Sequence, residues 1–283
     1  SSKAAYLKEI MEGVSFYEFV NNLYKNFDAV YGDICGKLEA ALHALAKPEN
    51  LIISYIGQSD VTGALAESLR SVKQYMNDDR SDVVEQKLDL QIKNEGFKTA
   101  SKVQYVATAG NFLEKGYEYT GALHVLQVIF AYDYLWINIR VKGGAYGTMC
   151  NFNRLGDAYF TSYRDPNLGR TYEIYKNAAD YVEHFDASDR DMLKYIIGAV
   201  AKLDAPLVPS AEGEYDFLCY LSGVTDEQLQ KDRDEVLSAG VEEIRRLAPL
   251  IKAVTEKGII CAIGDENVIQ REQNLFNEIK NLV

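Results

Sequence analysis

Apolar side chains recur at helical spacing along the first 46 residues, and this pattern predicts two helices between residues 6 and 46. One run begins at Phe16 and a second follows Gly36. Ser15 has a glutamate, Glu18, three positions later, which fits a capping box at the start of a helix. Pro48 then closes the segment.

Short apolar or alternating stretches predict the strands of a sheet. Lys102–Phe112 alternates and places Tyr105 and Ala107 on one face, while two stretches around Gly156 predict a hairpin. The predicted strands are residues 51–57, 102–112, 148–154, 158–163 and 258–263.

Longer apolar patterns between these strands predict helices. Ser188 is an expected N-cap, and Pro249 should kink or split the helical pattern that opens at Thr225. The charged residues 78–94 predict a surface loop or a frayed helix. The predicted helices are residues 62–76, 120–140, 165–184, 188–203 and 215–221, a long one from 225, and a last one over 266–282.

The order of these elements predicts the fold class. A hairpin combined with crossover helices implies a mixed, mainly antiparallel sheet with helices packed on one face. The sequence therefore predicts an α+β layer fold, preceded by the two N-terminal helices.

Composition narrows the possible functions. The 283 residues carry a formal net charge of −12, which argues against nucleic acid or an anionic membrane as a partner. The acidity could favour basic peptides or be of no consequence for binding. No run of about 20 apolar residues without charges indicates a membrane span. The four cysteines are widely spaced and form no Cys-x-x-Cys pair, so reduced thiols are expected.

The segment from Arg140 to Gly147, with the sequence Arg-Val-Lys-Gly-Gly-Ala-Tyr-Gly, lies between a predicted helix and a predicted strand. Two glycines next to each other permit unusual backbone angles and close approach of another chain. Arg140 could serve only the helix dipole, and Tyr146 could be an ordinary strand residue. A phosphate cradle is disfavoured because such loops run from a strand into a helix.

This segment, together with Ser162-Tyr163-Arg164-Asp165-Pro166-Asn167, resembles the C-terminal half of pitrilysin/insulinase-type zinc metallopeptidases, the presequence proteases in particular. The resemblance implies two similar halves that close around a peptide. In that family the N-terminal half carries the zinc motif His-x-x-Glu-His. The C-terminal half supplies an arginine and a tyrosine to the substrate, at positions that match Arg140 and Tyr146.

The sequence departs from the family in lacking His-x-x-Glu-His. Its histidines are His43, His124 and His184, and Asp180 stands where a motif ending at His184 needs its first histidine. Either the chain is a fragment of a longer enzyme or the zinc half is a separate chain. The resemblance thus implies that residues 1–47 are the helical tail of a preceding domain and residues 48–283 a C-terminal peptidase-like domain.

The implied function is the substrate-clamping half of a zinc metalloendopeptidase that degrades unstructured peptides in a closed chamber. Arg140 and Tyr146 would bind and polarise the scissile peptide, with no metal site in this chain. The absent N-terminal half would be the partner and would supply zinc and the base. A non-catalytic scaffold or peptide-binding subunit is the alternative. The substrate-binding loop would comprise Lys142, Gly143, Gly144, Ala145 and Gly147.

The remaining polar residues have mainly structural interpretations. Asp165 and Asn167 are expected to cap a helix, although a peptide contact by Arg164 stays open. His124 has no second ligand at helical spacing. The charged runs 189–191 and 232–235 are expected to be solvated helix faces. The expected location is the cytoplasm of a bacterium, or an organelle matrix if the source is eukaryotic.

Overall fold

A computed structural model describes residues 2–77, 88, 90–256 and 258–282. The described chain forms two compact units. One, the sheet unit, comprises Leu90–Pro206 and Val224–Val283 with the first two residues. The other, the helical unit, comprises Lys3–Asp89 and Leu207–Gly223.

The secondary structure follows the chain in this order. The helices are α1 (Lys3–Glu12), α2 (Val14–Leu45), α3 (Thr62–Lys73), α4 (Ala122–Ile129), α5 (Gly169–Lys176), α6 (Ala178–Glu183), α7 (Asp189–Leu203), α8 (Pro209–Ser222), α9 (Asp226–Leu237), α10 (Val241–Arg245), α11 (Ala248–Thr255) and α12 (Glu266–Arg271). The strands are β1 (Glu95–Thr99), β2 (Gln104–Asn111), β3 (Gly147–Phe152), β4 (Asp157–Asp165), β5 (Ile259–Asp265) and β6 (Glu278–Asn281).

The strands form one six-stranded sheet in the order β3-β4-β2-β5-β1-β6. Strand β1 is parallel to both of its neighbours, β5 and β6. The other three pairings are antiparallel. The mixed, mainly antiparallel α+β fold predicted from the sequence is therefore confirmed.

Helices cover one face of this sheet. Val106 and its cross-strand partner Ala262 are buried on that face. On the same face, a Cβ on Gly110 would meet Val254 of α11 at 3.2 Å, and one on Gly96 would meet the Phe276 ring at 2.9 Å. These glycines allow the helices and the sheet to approach closely.

The long core helix begins with α4 and continues as π-helical turns over Phe130–Tyr134 and Trp136–Val141. Its length and composition would suffice to cross a bilayer, but half of the stretch Ala122–Val141 is buried inside the protein. Packing against the sheet accounts for its apolar character. The predicted helix over residues 120–140 is confirmed.

The helical unit contains α1, α2, α3 and α8. None of these four helices has a buried residue. The break between the first two helices lies at Gly13, and α2 runs through Gly36 with its only non-helical residue at Asn26. The expected capping box is wrong, because Ser15 lies inside α2 and its hydroxyl donates to Glu9.

Two further predictions are wrong because the local sequence pattern does not determine which segments pair as strands. Residues 51–57 form no strand, and Ile52, Ile53 and Ile56 are exposed without a pairing partner. The last predicted helix ends early, at Arg271, and the chain returns as β6 to pair with β1. Strand β1 itself was not predicted. Most of the charged stretch 78–94 lies outside the described residues.

Strand β2 and the hairpin β3–β4 are confirmed, and so is the Ser188 cap of α7, whose side chain accepts from the Asp191 amide. The helical pattern after Thr225 is split, with Pro249 at the start of α11. The helix expected to begin at Asp165 begins later, at Gly169.

Candidate functional site

The core helix ends in a glycine turn that fixes the position of Arg140. The Gly144 amide donates to the Arg140 carbonyl at 2.9 Å, and the Ala145 amide to the Ile139 carbonyl at 3.1 Å. Gly144 has a φ of 80°, which favours glycine. A Cβ on Gly143 would lie 2.3 Å from the Ile139 carbonyl oxygen, so this position also requires glycine.

Tyr146 follows the turn and leads into β3. Its amide donates to the Arg164 carbonyl at 3.3 Å, which ties the turn to the end of β4. Its ring packs edge-on against Tyr163, with 5.2 Å between centroids. A Cβ on Gly147 would lie 2.4 Å from the Tyr163 ring. Gly147 therefore makes room for the ring that supports Tyr146.

Two guanidinium groups lie over the Tyr146 ring. The Arg140 guanidinium carbon is 5.4 Å from the ring centroid and that of Arg164 is 5.8 Å from it. Arg140 also lies 4.7 Å from the Trp136 ring, one helical turn earlier. Such cation–π contacts restrict the guanidinium while leaving its N–H groups free to donate.

These side chains surround an open pocket of about 510 Å³. Of the residues predicted from the sequence, the structure brings four to the pocket wall and places Lys142, Gly143 and Gly147 outside it. The lining residues are Arg140, Val141, Gly144, Ala145, Tyr146 and Arg164. The sequence left a peptide contact by Arg164 open. It also contains a signal for Trp136, whose spacing of four residues from Arg140 on a predicted helix indicates a shared face.

The two predicted donors are available to a ligand. Tyr146 is 57% exposed. Among the described residues, neither its hydroxyl nor the Arg140 guanidinium forms a hydrogen bond or an ion pair within the chain. By contrast, Arg154, Arg233 and Arg245 all have carboxylate partners.

A buried carboxylate stabilises the glycine turn through Asn167. Asp165 is fully buried and accepts from the Thr171 hydroxyl at 2.7 Å and from the Asn167 amide at 2.9 Å. The Asn167 side chain in turn donates to the Gly143 carbonyl at 2.7 Å. The sequence predicted that Asp165 and Asn167 act as a helix cap, whereas they anchor the glycine turn.

A second polar cluster surrounds His124, away from this pocket. The imidazole hydrogen-bonds to Tyr119, and burial lowers the pKa of His124 below its ordinary value. The expectation that residues 232–235 are only solvated is wrong. Asp232 is buried and pairs with Arg154, and Glu235 accepts from the Gly121 amide at the start of α4.

The described part of the chain contains no group of three or more His, Cys, Asp or Glu side chains placed to hold a metal ion. Among the described residues, Cys35, Cys150, Cys219 and Cys261 form no disulfide bond. Residues arranged in this way do not fit a zinc centre.

Comparison with known proteins places the chain in the PreP C-terminal domain family. Residues 94–266 match the family model for the PreP C-terminal domain. The chain is 38% identical over its whole length to protein HypA of Clostridium perfringens, covering 29% of that protein. It is 30% identical over 98% of its length to presequence protease 1, chloroplastic/mitochondrial, of Arabidopsis thaliana, covering 26% of that protein. The chain therefore spans less than a third of these relatives.

Solved structures show the same fold at low sequence identity. A peptidase M16 inactive domain from Pseudomonas fluorescens matches with a TM-score of 0.52 and 13% identity, over 73% of this chain and 52% of that one. Pitrilysin matches with a TM-score of 0.52 and 14% identity, over 72% of this chain and 24% of its own.

Proposed function

The chain belongs to the PreP C-terminal domain family, and we propose that it is the substrate-clamping part of a zinc metalloendopeptidase that degrades unstructured peptides. In this proposal Arg140 and Tyr146 hold the scissile peptide. The zinc ion and the general base would belong to an N-terminal half of the enzyme, which would enclose the peptide together with this chain. A cytoplasmic or organelle-matrix location remains a prediction.

One observation carries the proposal: Arg140 and Tyr146 line one open pocket with their donor groups unused by the described part of the chain. A guanidinium is always charged and offers several N–H donors in a fixed plane, which suits peptide carbonyl oxygens. The tyrosine hydroxyl can donate to the carbonyl oxygen that gains negative charge during hydrolysis. A fixed donor at that oxygen is worth roughly 3 kcal/mol of transition-state stabilisation.

The supporting residues also fit this role. Donors accelerate a reaction only when they are held close to the required geometry before the substrate arrives. The Gly143 carbonyl bound by Asn167, and the Tyr146 amide bound to Arg164, fix both ends of the turn. The Arg140 side chain is further restricted by Trp136.

Zinc enters this proposal only through the N-terminal half. The metal-ligating residues that the described chain offers do not cluster, so no step of the reaction is assigned to a metal held here. When bound in the other half, zinc would supply the Lewis acid and the activated water. This chain would bind, orient and polarise the peptide.

The proposal is tested by mixing this chain with a separately expressed zinc-binding half and following cleavage of an unstructured basic peptide. The chain alone should cleave nothing, and the mixture should be active. Arg140→Gln in the mixture should lower kcat/KM by roughly tenfold or more, because a charged hydrogen bond is lost. Arg190→Gln, which removes an exposed cation at the start of α7, is the control.

Two results would contradict the proposal. Chelator-sensitive cleavage by the chain alone would show that this chain itself holds the metal centre. Full activity of the Arg140→Gln mixture would leave the chain as a scaffold or a passive peptide-binding subunit.

A further inference from the structure

The end of β4 contains a β-bulge that changes which side chain faces outwards. Gln104 pairs with Asp165 and Val106 with Ser162, so Tyr105 alone lies opposite two residues of β4. Side chains of a strand alternate between its faces, and the inward residues before the bulge are Ala158, Phe160 and Ser162. Without the bulge, Arg164 would be the next to point into the core.

The bulge shifts this alternation by one residue. Asp165 becomes fully buried, and Arg164 becomes exposed. Arg164 has a φ of 50°, and no other non-glycine residue in the described part of the chain has a positive φ. Left-handed backbone is unfavourable for an arginine and is found mainly where the surrounding structure enforces it. Bulges next to binding sites commonly redirect a side chain in this way.

The redirected side chain brings a second positive charge to the pocket. Arg164 lines the pocket with Arg140, and both guanidinium groups approach the Tyr146 ring. Neither arginine is paired with a carboxylate among the residues that the structure describes, although the chain as a whole carries a net charge of −12. Two like charges at one site repel each other unless an anion lies between them.

We propose that Arg164 is a specificity-determining residue that, with Arg140, receives a carboxylate group of the bound peptide. This proposal rests on the peptidase function proposed above. The planar guanidinium matches the two oxygens of a carboxylate. That carboxylate belongs either to an Asp or Glu side chain near the scissile bond or to the C-terminus of the peptide.

The test uses the mixture of this chain with the zinc-binding half and two pairs of substrates. One pair differs only by Glu or Gln beside the cleaved bond, and the other by a free or an amidated C-terminus close to it. The variant is Arg164→Asn, since asparagine tolerates left-handed backbone better than most residues. Arg190→Asn is the matched control, because it removes an exposed cation from α7 in the same unit.

We expect Arg164→Asn to lower kcat/KM roughly tenfold for the carboxylate member of one pair, while its neutral counterpart changes less than about twofold. A loss confined to the Glu peptide identifies the side chain as the source, and a loss confined to the free C-terminus identifies the terminus. Equal losses for both members of each pair, or no loss, would overturn the proposal.

Failure of the underlying function is recognised separately. Tyr146→Phe should slow cleavage of all four peptides alike. If Tyr146→Phe has no effect, the proposed function fails whatever Arg164 does. If it slows all four while Arg164→Asn does not discriminate between them, only the carboxylate site fails.

Binding to the chain alone gives an independent readout, since all lining residues belong to it. Trp136 is the only tryptophan, and its ring lies 4.7 Å from the Arg140 guanidinium. Its fluorescence should therefore respond when short peptides of both pairs, Glu or Gln and free or amidated C-terminus, are titrated into the chain. Tighter binding of the carboxylate member of either pair that disappears in Arg164→Asn supports the proposal, and equal binding within both pairs overturns it.

Discussion

The sheet unit and the helical unit use their apolar residues in opposite ways. In the sheet unit, Phe130, Phe160 and Ile139 are fully buried. In the helical unit, α2 has the same helical periodicity but leaves Phe16, Phe19 and Phe27 about half exposed. Periodicity therefore predicts that a segment is helical, but not what its apolar face will contact. The candidate site lies wholly in the sheet unit, which contains the buried core.

The largest expected difference between the units comes from removing one aromatic ring from each. Phe160→Ala should destabilise the sheet unit by about 3–5 kcal/mol, because it opens a cavity among packed aromatic rings. Phe19→Ala should change stability by less than about 0.5 kcal/mol, because an exposed ring loses little on truncation. Urea denaturation of both variants checks this. Similar losses would show that α2 is packed against something.

A smaller difference is expected when a methyl group is added to one glycine in each unit. Gly147→Ala should cost about 1–3 kcal/mol, because the new Cβ would overlap the Tyr163 ring. Gly36→Ala should instead stabilise α2 by about 1 kcal/mol, because nothing lies within 4 Å of its added Cβ. Thermal melts followed by circular dichroism show whether each variant is stabilised or destabilised. A neutral Gly147→Ala would contradict the close packing behind Tyr146.

Replacing one arginine by glycine in each unit sharpens the contrast further. Arg164→Gly should stabilise the sheet unit by up to about 1 kcal/mol, because it relieves the left-handed strain. Arg70→Gly in α3 should destabilise that helix by about 1 kcal/mol. The same denaturation measurements decide the signs. A destabilised Arg164→Gly protein would mean that the arginine contributes more to folding than its backbone strain costs.

The smallest expected effect is a pH dependence confined to the sheet unit. Burial lowers the pKa of His124 despite the nearby Asp232, so this imidazole takes up its proton at a lower pH in the folded state than in the unfolded chain, where protonation occurs near pH 6.5. The unfolded state then binds more protons, and stability should fall as the pH drops below about 6.5. His124→Gln should flatten this slope in urea titrations at several pH values. An unchanged slope would show that other titratable groups cause the pH dependence of stability.

The sequence predicted the sheet unit better than the helical one. The strands around Gly156 and the core helix were predictable because alternation and helical spacing there coincide with burial. Residues 51–57 have strand composition but gain no pairing partner, and β6 has a helical pattern but pairs with β1. Strand pairing depends on residues distant in sequence, so local patterns do not determine it.

The candidate site was predictable where its residues are contiguous in the chain. Arg140 and Tyr146 stand in one short motif that also carries the family resemblance. Arg164 reaches the pocket through a bulge whose register depends on the pairing of β2 with β4. The same bulge buries Asp165, which the alternation of the strand would otherwise leave exposed. Neither position could be assigned from alternation alone.

The most direct test of the central claim measures kcat and KM for Tyr146→Phe in the mixture with the zinc-binding half. The control is Tyr105→Phe, which removes a hydroxyl from a comparably exposed tyrosine on β2. We predict that Tyr146→Phe lowers kcat by roughly a hundredfold with little change in KM, and that the control is fully active. Unchanged kcat for Tyr146→Phe would contradict the assignment of this hydroxyl to the scissile peptide.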